Sequence, residues 1–240
     1  MRIGVLGLGT IATAVVEGMV TDVHDIVVSR RGAANAERLQ EAYGLRVADN
    51  QDVVDASELL FIGLTDDVAA KVLSGLRFRE DQRVVSLMAG ASLAQLAQLV
   101  TPARAVARMI PFPSIAKGGS QVLALGDCDL IRDLFGARNS VFELASEAEL
   151  GDYLCAQAVL SPAVRMVKDA ADWLAETGAD PMTAQRFLRE LVGTSLLAGA
   201  CEPLLTALDT PGGYNQRLRE HMLRAGVTQD LREGLERLRG

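Results

Sequence analysis

Six consecutive residues, Gly7-Leu8-Gly9-Thr10-Ile11-Ala12, have the types and spacing of an anion cradle. They follow an apolar run ending at Leu6 and lead into a helical pattern through Ala14, Val15 and Gly18. In such a loop the first glycine makes a tight turn and the second lets backbone N–H groups approach a pyrophosphate. The third position, here alanine, must be small so that helix and strand can pack closely. The anion then rests on the N-terminus of the helix, where unpaired N–H groups and the helix dipole favour negative charge. Leu6, Gly7, Leu8, Gly9, Thr10 and Ile11 are therefore assigned to a dinucleotide.

The end of the next apolar run selects the dinucleotide. An enzyme that prefers NAD places a carboxylate there for the ribose 2′-hydroxyl. This chain has Ser29-Arg30-Arg31. One hydroxyl and two guanidiniums suit a 2′-phosphate, and no carboxylate is present to repel it. The expected cofactor is NADP(H).

These residues need a parallel sheet to position them. Short β-branched runs alternate with helical stretches, with strands expected at Ile3–Leu6, Ile26–Val28, Leu45–Ala48, Leu59–Leu64, Val84–Leu87, Ala105–Met109, Val122–Leu125 and Val141–Leu144. Ala33–Tyr43 reads as a helix closed by Gly44, and Ser92 as the cap of a helix over Leu93–Val100. Beyond Ser146 strand signals stop. The spacing of Leu160, Val164, Val167, Ala171 and Leu174 is helical, and Asp180-Pro181 opens another helix. After Asp209–Gly213 come two terminal helices, with Thr228 expected to cap the last. The sequence thus predicts a doubly wound, mainly parallel α/β Rossmann domain over 1–146 and an all-α domain over 147–240.

At 240 residues the chain can bury a core without staples, and a net charge of −7 with interspersed basic residues excludes nucleic acid as the main partner. Cys128, Cys155 and Cys201 are odd in number and lie far apart, so neither a disulfide framework nor a metal site is expected. With no basic leader and no membrane span, the expected location is the cytoplasm.

With these motifs in place the chain resembles the pyrroline-5-carboxylate reductases. The resemblance runs through Met1–Gly4, the glycine loop, Ser29–Arg31, Val85–Ser92 and Arg108-Met109-Ile110-Pro111, and returns at Thr210-Pro211-Gly212-Gly213. It implies hydride transfer from NADPH to the C=N of a small cyclic imine carboxylate, giving proline, in a homodimer or higher homo-oligomer joined by its helical domain. It also implies that Asn50 meets the adenosine ribose, that Gly63, Leu64 and Thr65 border the cofactor, and that Ala89 lies on the nicotinamide side. Thr210, Gly212 and Gly213 would bind substrate, the two glycines offering N–H donors to its carboxylate, and Tyr214 and Asn215 would replace the hydroxyls that the family uses next. The family's Val-Lys-Pro is Leu64-Thr65-Asp66 here, and its Met-Pro-Asn is Ile110-Pro111-Phe112.

Two other readings stay open. Lys168, one helical turn before Asp172, has the spacing of the acid–base lysine of hydroxyacid dehydrogenases, which would make the substrate a keto or hydroxy acid. A protein that binds NADP(H) and catalyses nothing is the third.

Overall fold

Strict alternation along the strands builds a sheet with two covered faces. The computed structural model describes residues 1–239, and the chain divides into two compact units, residues 1–150 and 151–240. In the first unit the order is β1 (Arg2–Leu6), α1 (Thr10–Met19), β2 (Asp25–Ser29), α2 (Ala33–Tyr43), β3 (Arg46–Ala48), α3 (Asn50–Ala56), β4 (Leu59–Ile62) and α4 (Asp66–Leu73). It continues with β5 (Arg83–Ser86), α5 (Leu93–Leu99), β6 (Arg104–Pro111), β7 (Gln121–Gly126), α6 (Cys128–Phe135), β8 (Ser140–Leu144) and the start of α7 (Glu147–Ala156). The sheet has eight strands in the order β3-β2-β1-β4-β5-β6-β7-β8, parallel except where β7 runs against β6. The direction reverses at β1, between β2 and β4, which is the switch point where open α/β sheets bind ligands.

Ile3, Val5, Leu59, Phe61 and Val85 face one apolar layer with Val15, Leu39 and Phe135. Their neighbours Leu6, Leu60, Ile62 and Val84 face the other, with Leu73 and Leu96. Leu39 is fully buried where α2 covers the first layer, and Leu39→Ala is expected to cost about 2–5 kcal/mol, read as a lower denaturation midpoint.

All eight expected strands are present. The fourth is shorter than the sequence predicts: it stops at Ile62, and the Gly63 N–H makes the last bond to β1, donating to Leu6 O at 2.8 Å. Ser92 caps α5 as expected, in a reciprocal box with Gln95.

The second unit contains α8 (Leu160–Glu176), α9 (Pro181–Leu197), α10 (Cys201–Ala207), α11 (Tyr214–Arg224) and α12 (Val227–Arg239). Asp180 caps α9 by accepting the Thr183 N–H at 2.8 Å, and that bond holds its carboxyl below the ordinary carboxylate range. The expected role of Thr228 is corrected. α12 begins at Val227, two residues before a Thr228 cap would start it, because Gly226 at φ +94° breaks the chain from α11 and its carbonyl accepts the first helical N–H, from Asp230. Among the described residues of 151–240, only Ala171 and Ala184 are buried. No helix among the described residues is long and apolar enough to cross a membrane.

Candidate cofactor and substrate sites

β1 ends at Leu6, and Gly7 turns the chain at φ +84°, a left-handed conformation natural only to glycine. A Cβ on Gly7 would come within 2.7 Å of Gly63 O, so the turn also needs glycine for space. Two bonds from β2 and its following turn set the loop. The Gly7 N–H donates to Ser29 Oγ at 2.9 Å, and the Leu8 N–H donates to Arg31 O at 3.2 Å. Asn35 Nδ2 holds Leu8 O from α2 at 2.8 Å.

Gly9 then caps α1 in extended geometry, with no side-chain partner and no acidic residue in the first helical turn. The N–H groups at that helix start have no helical acceptor and carry the positive end of the dipole. Nothing lies within 4 Å of a Cβ built on Gly9, so the space in front of the helix is open.

Gly7, Leu8, Gly9, Arg31, Gly32, Gly63, Leu64, Thr65 and Val68 together line a cleft of about 220 Å³ at the switch point. A larger concavity of about 600 Å³ beside β7 and β8 includes Asp127, Asp129 and Glu143, and such a lining repels phosphate. Chemistry favours the smaller cleft.

Ser29 is wholly buried, and its hydroxyl accepts the loop N–H. It shapes the cradle from beneath, which leaves the two guanidiniums as the groups that can reach a 2′-phosphate. Arg31 lines the cleft. Arg30 is exposed and donates from Nε to Asp49 Oδ1 at 2.9 Å. The sequence did not single out Asp49, which follows β3. Only the pairing of β2 with β3 brings it beside Arg30. An ion pair this exposed is worth about 0–1 kcal/mol, so an incoming phosphate can displace it. Asn50 opens α3 one residue further on, half-buried, at the same edge. Ala89 is exposed in the turn between β5 and α5. The residues of this unit therefore fit NADP(H).

In the second unit, Thr210 to Gly213 form a turn before α11, with Gly212 at φ +75°. The idea that both glycine N–H groups are free donors is corrected. The Gly212 N–H donates to Gln216 Oε1 at 2.7 Å, and the Gly213 N–H donates to Thr210 O at 2.9 Å. Gln216 was missed because its partner is a backbone group four residues back. Arg219 grips the start of the turn through Asp209 and Leu205 O. Tyr214 is 91% exposed and Asn215 is exposed, so both polar ends are open to a ligand.

Lys168 Nζ donates to Asp172 Oδ2 at 2.5 Å on the surface of α8, an ordinary i,i+4 pair. Lys168→Ala is expected to leave NADPH turnover within threefold of the parent. A loss of a hundredfold or more in kcat would instead make Lys168 the proton donor. Cys128 and Cys155 are half-buried and Cys201 is exposed, all as free thiols, and burial pushes the Cys128 thiol up.

The family described as NADP oxidoreductase, coenzyme F420-dependent, matches residues 2–90, which hold the cleft. The pyrroline-5-carboxylate reductase of Synechocystis sp. is 28% identical over 131 residues, which is 52% of this chain and 49% of that protein. The structure of 1-pyrroline-5-carboxylate reductase from Streptococcus pyogenes aligns with a TM-score of 0.86 at 21% identity, over 100% of this chain and 96% of the other. Over these stretches and at these identities the chain resembles the pyrroline-5-carboxylate reductases. A pyrroline carboxylate reductase from Plasmodium falciparum, solved with NADP bound, aligns at 0.82 and 13% identity over 100% and 95% of the two chains. Likeness at these identities shows the fold, a Rossmann-like sheet followed by helices. The Synechocystis match spans about half of that relative's length.

Proposed function

We propose that this chain is a divergent relative of the pyrroline-5-carboxylate reductases, an NADPH-dependent reductase that delivers hydride to the C=N of a small cyclic imine carboxylate, a step of the kind that yields proline. The observation that carries the reading is the cleft of Gly7–Gly9, Arg31–Gly32 and Gly63–Thr65, placed at the switch point and bordered by guanidinium in place of carboxylate. When bound, NADPH supplies the hydride. The loop N–H groups and the start of α1 hold the pyrophosphate, and Arg31 and Arg30 neutralise the 2′-phosphate. Asn50 takes the adenosine ribose, while Leu64, Thr65 and Ala89 flank the rest of the cofactor.

Imine reduction asks little of protein acids, because a protonated imine is already electrophilic and mainly needs positioning. Tyr214 Oη and the Asn215 amide can donate to the substrate carboxylate, or accept the N–H of the protonated imine through their oxygens. With the two glycine N–H groups engaged, the first-turn N–H groups of α11 and the Thr210 hydroxyl are the remaining donors for a carboxylate.

A homodimer belongs to the same reading. Among the described residues of 151–240 only two alanines are buried, which leaves Leu160, Val164, Trp173, Phe187, Leu191 and Leu196 in water, far more apolar surface than a monomer keeps. A second copy that covers this face gives the helices the core they lack. We further propose that the protein works in the cytoplasm.

The test follows NADPH oxidation with pyrroline-5-carboxylate and with a panel of cyclic imines that have and lack the carboxylate. Turnover is expected with the carboxylated imines. Cofactor binding without turnover on any of them removes the imine reading and leaves a silent NADP(H)-binding protein.

A further inference from the structure

Arg108 is the one buried charged side chain among the described residues, at 4% exposure. It lies on β6 opposite Ser86, the last residue of β5, where the strand gives way to the turn Leu87–Ala91. Its guanidinium makes three contacts. Nη2 donates to Met88 O at 3.2 Å and to Ala89 O at 2.6 Å, and Nη1 pairs with Glu147 Oε2. Glu147 uses its other oxygen to accept the N–H of Leu93, the first residue of α5, at 2.7 Å. Ser86 Oγ accepts the Met88 N–H at 3.1 Å. The turn is thus tied at its start, its middle and its far end, while Ala89 and Gly90 remain exposed.

Fold stability does not require this arrangement. A buried ion pair is a weak stabiliser, and hydrocarbon of similar volume often serves as well or better. What hydrocarbon cannot do is hold two consecutive carbonyls on one guanidinium nitrogen while the other nitrogen pairs with a carboxylate. Arg108 Nε has no partner, so the side chain is aimed at the carbonyls at the expense of one of its own donors. A buried donor left without a protein partner calls for an explanation.

We infer that Arg108, held by Glu147, is a positioning residue that fixes the Met88–Gly90 turn as a rigid wall against the nicotinamide end of the cofactor. The inference rests on the reading of Ala89 as the nicotinamide side. The pyrophosphate and 2′-phosphate are held from β1, β2 and the turns after them, so the adenine half should bind whether or not the wall is rigid.

The test compares the parent with Arg108→Lys, which keeps the charge but has one nitrogen where the carbonyls and Glu147 now occupy two, and with Glu147→Gln, whose partly exposed site tolerates the change. Two readouts are taken. One is the affinity for 2′-phospho-ADP-ribose, which lacks the nicotinamide ring. The other is the emission of bound NADPH, which is enhanced when the dihydronicotinamide ring is held rigidly. Both variants are expected to bind the ring-less compound within threefold of the parent and to lose at least half of the emission enhancement. In turnover, kcat is expected to fall at least tenfold while the KM for NADPH changes less than threefold. Unchanged emission overturns the inference, as does a loss of ring-less affinity in step with it, which is what general damage to the fold produces. A parent that binds both compounds without enhancement overturns this inference alone. A parent that binds neither overturns the cofactor reading beneath it.

Discussion

Gly9→Ala is expected to leave the protein folded and to lower its affinity for NADP+ by about tenfold or more. Gly9 sits at φ −74° in extended geometry, which alanine adopts freely, and a Cβ there meets no atom of the chain within 4 Å. Its methyl would occupy the place that the pyrophosphate needs against the helix start. Charge-assisted hydrogen bonds contribute about 1.5–3 kcal/mol each, so displacing a phosphate from one or two of them costs a factor of ~10 to ~10⁴. Thermal midpoints should agree within about 2 °C, as for an exposed substitution that touches nothing.

Gly7→Ala is the contrasting control. There the methyl meets Gly63 O at 2.7 Å and the backbone is left-handed, which for other residues costs about 1–2 kcal/mol before the clash is counted. Crowding adds about 1–3 kcal/mol. A midpoint lower by on the order of 10 °C is expected. Titration calorimetry and thermal melts on the two variants separate a lost ligand from a lost fold. Undiminished NADP+ affinity in Gly9→Ala would mean that the pyrophosphate lies elsewhere.

The second large effect is on the choice between NADP+ and NAD+. Arg31 lines the cleft, and Arg30 is held over the same edge by Asp49. Replacing Arg31 with alanine should weaken NADP+ by about 10–30-fold, which corresponds to roughly 1.4–2 kcal/mol for one solvent-screened charge contact. The double variant Arg30→Ala/Arg31→Ala should lose about 10²–10³-fold, with NAD+ affinity changed less than threefold because the shared pyrophosphate contacts remain. Asp49→Asn is expected to move the other way. It frees Arg30 from its competitor and removes a negative charge near the phosphate, so NADP+ should tighten by about 2–5-fold at low salt, and less as salt screens the site. Equal losses for both dinucleotides would show that the arginines serve the loop and not the 2′-phosphate.

The connection between β6 and β7 carried a signal that the sequence reading did not use. It occupies residues 112–120, fewer than the dozen or so that a parallel crossover requires, and β7 accordingly runs antiparallel to β6. Gly226 gave another: a glycine at a helix–helix junction is a better breaker than Thr228 is a cap.

Local pattern determined much of this protein. Eight strands, the glycine cradle after the first and the pair of arginines after the second all lie within short windows. Their period or spacing is imposed by backbone geometry, which acts between near neighbours. Only the tertiary structure decided what the side chains there do. Ser29 lies beneath the loop because β2 pairs with β1, Asp49 meets Arg30 because β3 pairs with β2, and Arg108 reaches Glu147 and two carbonyls because β6 lies beside β5. These partners are 19–39 residues apart along the chain. Nothing in residue order encodes such a meeting, since it is strand adjacency that converts a distance along the chain into a hydrogen bond.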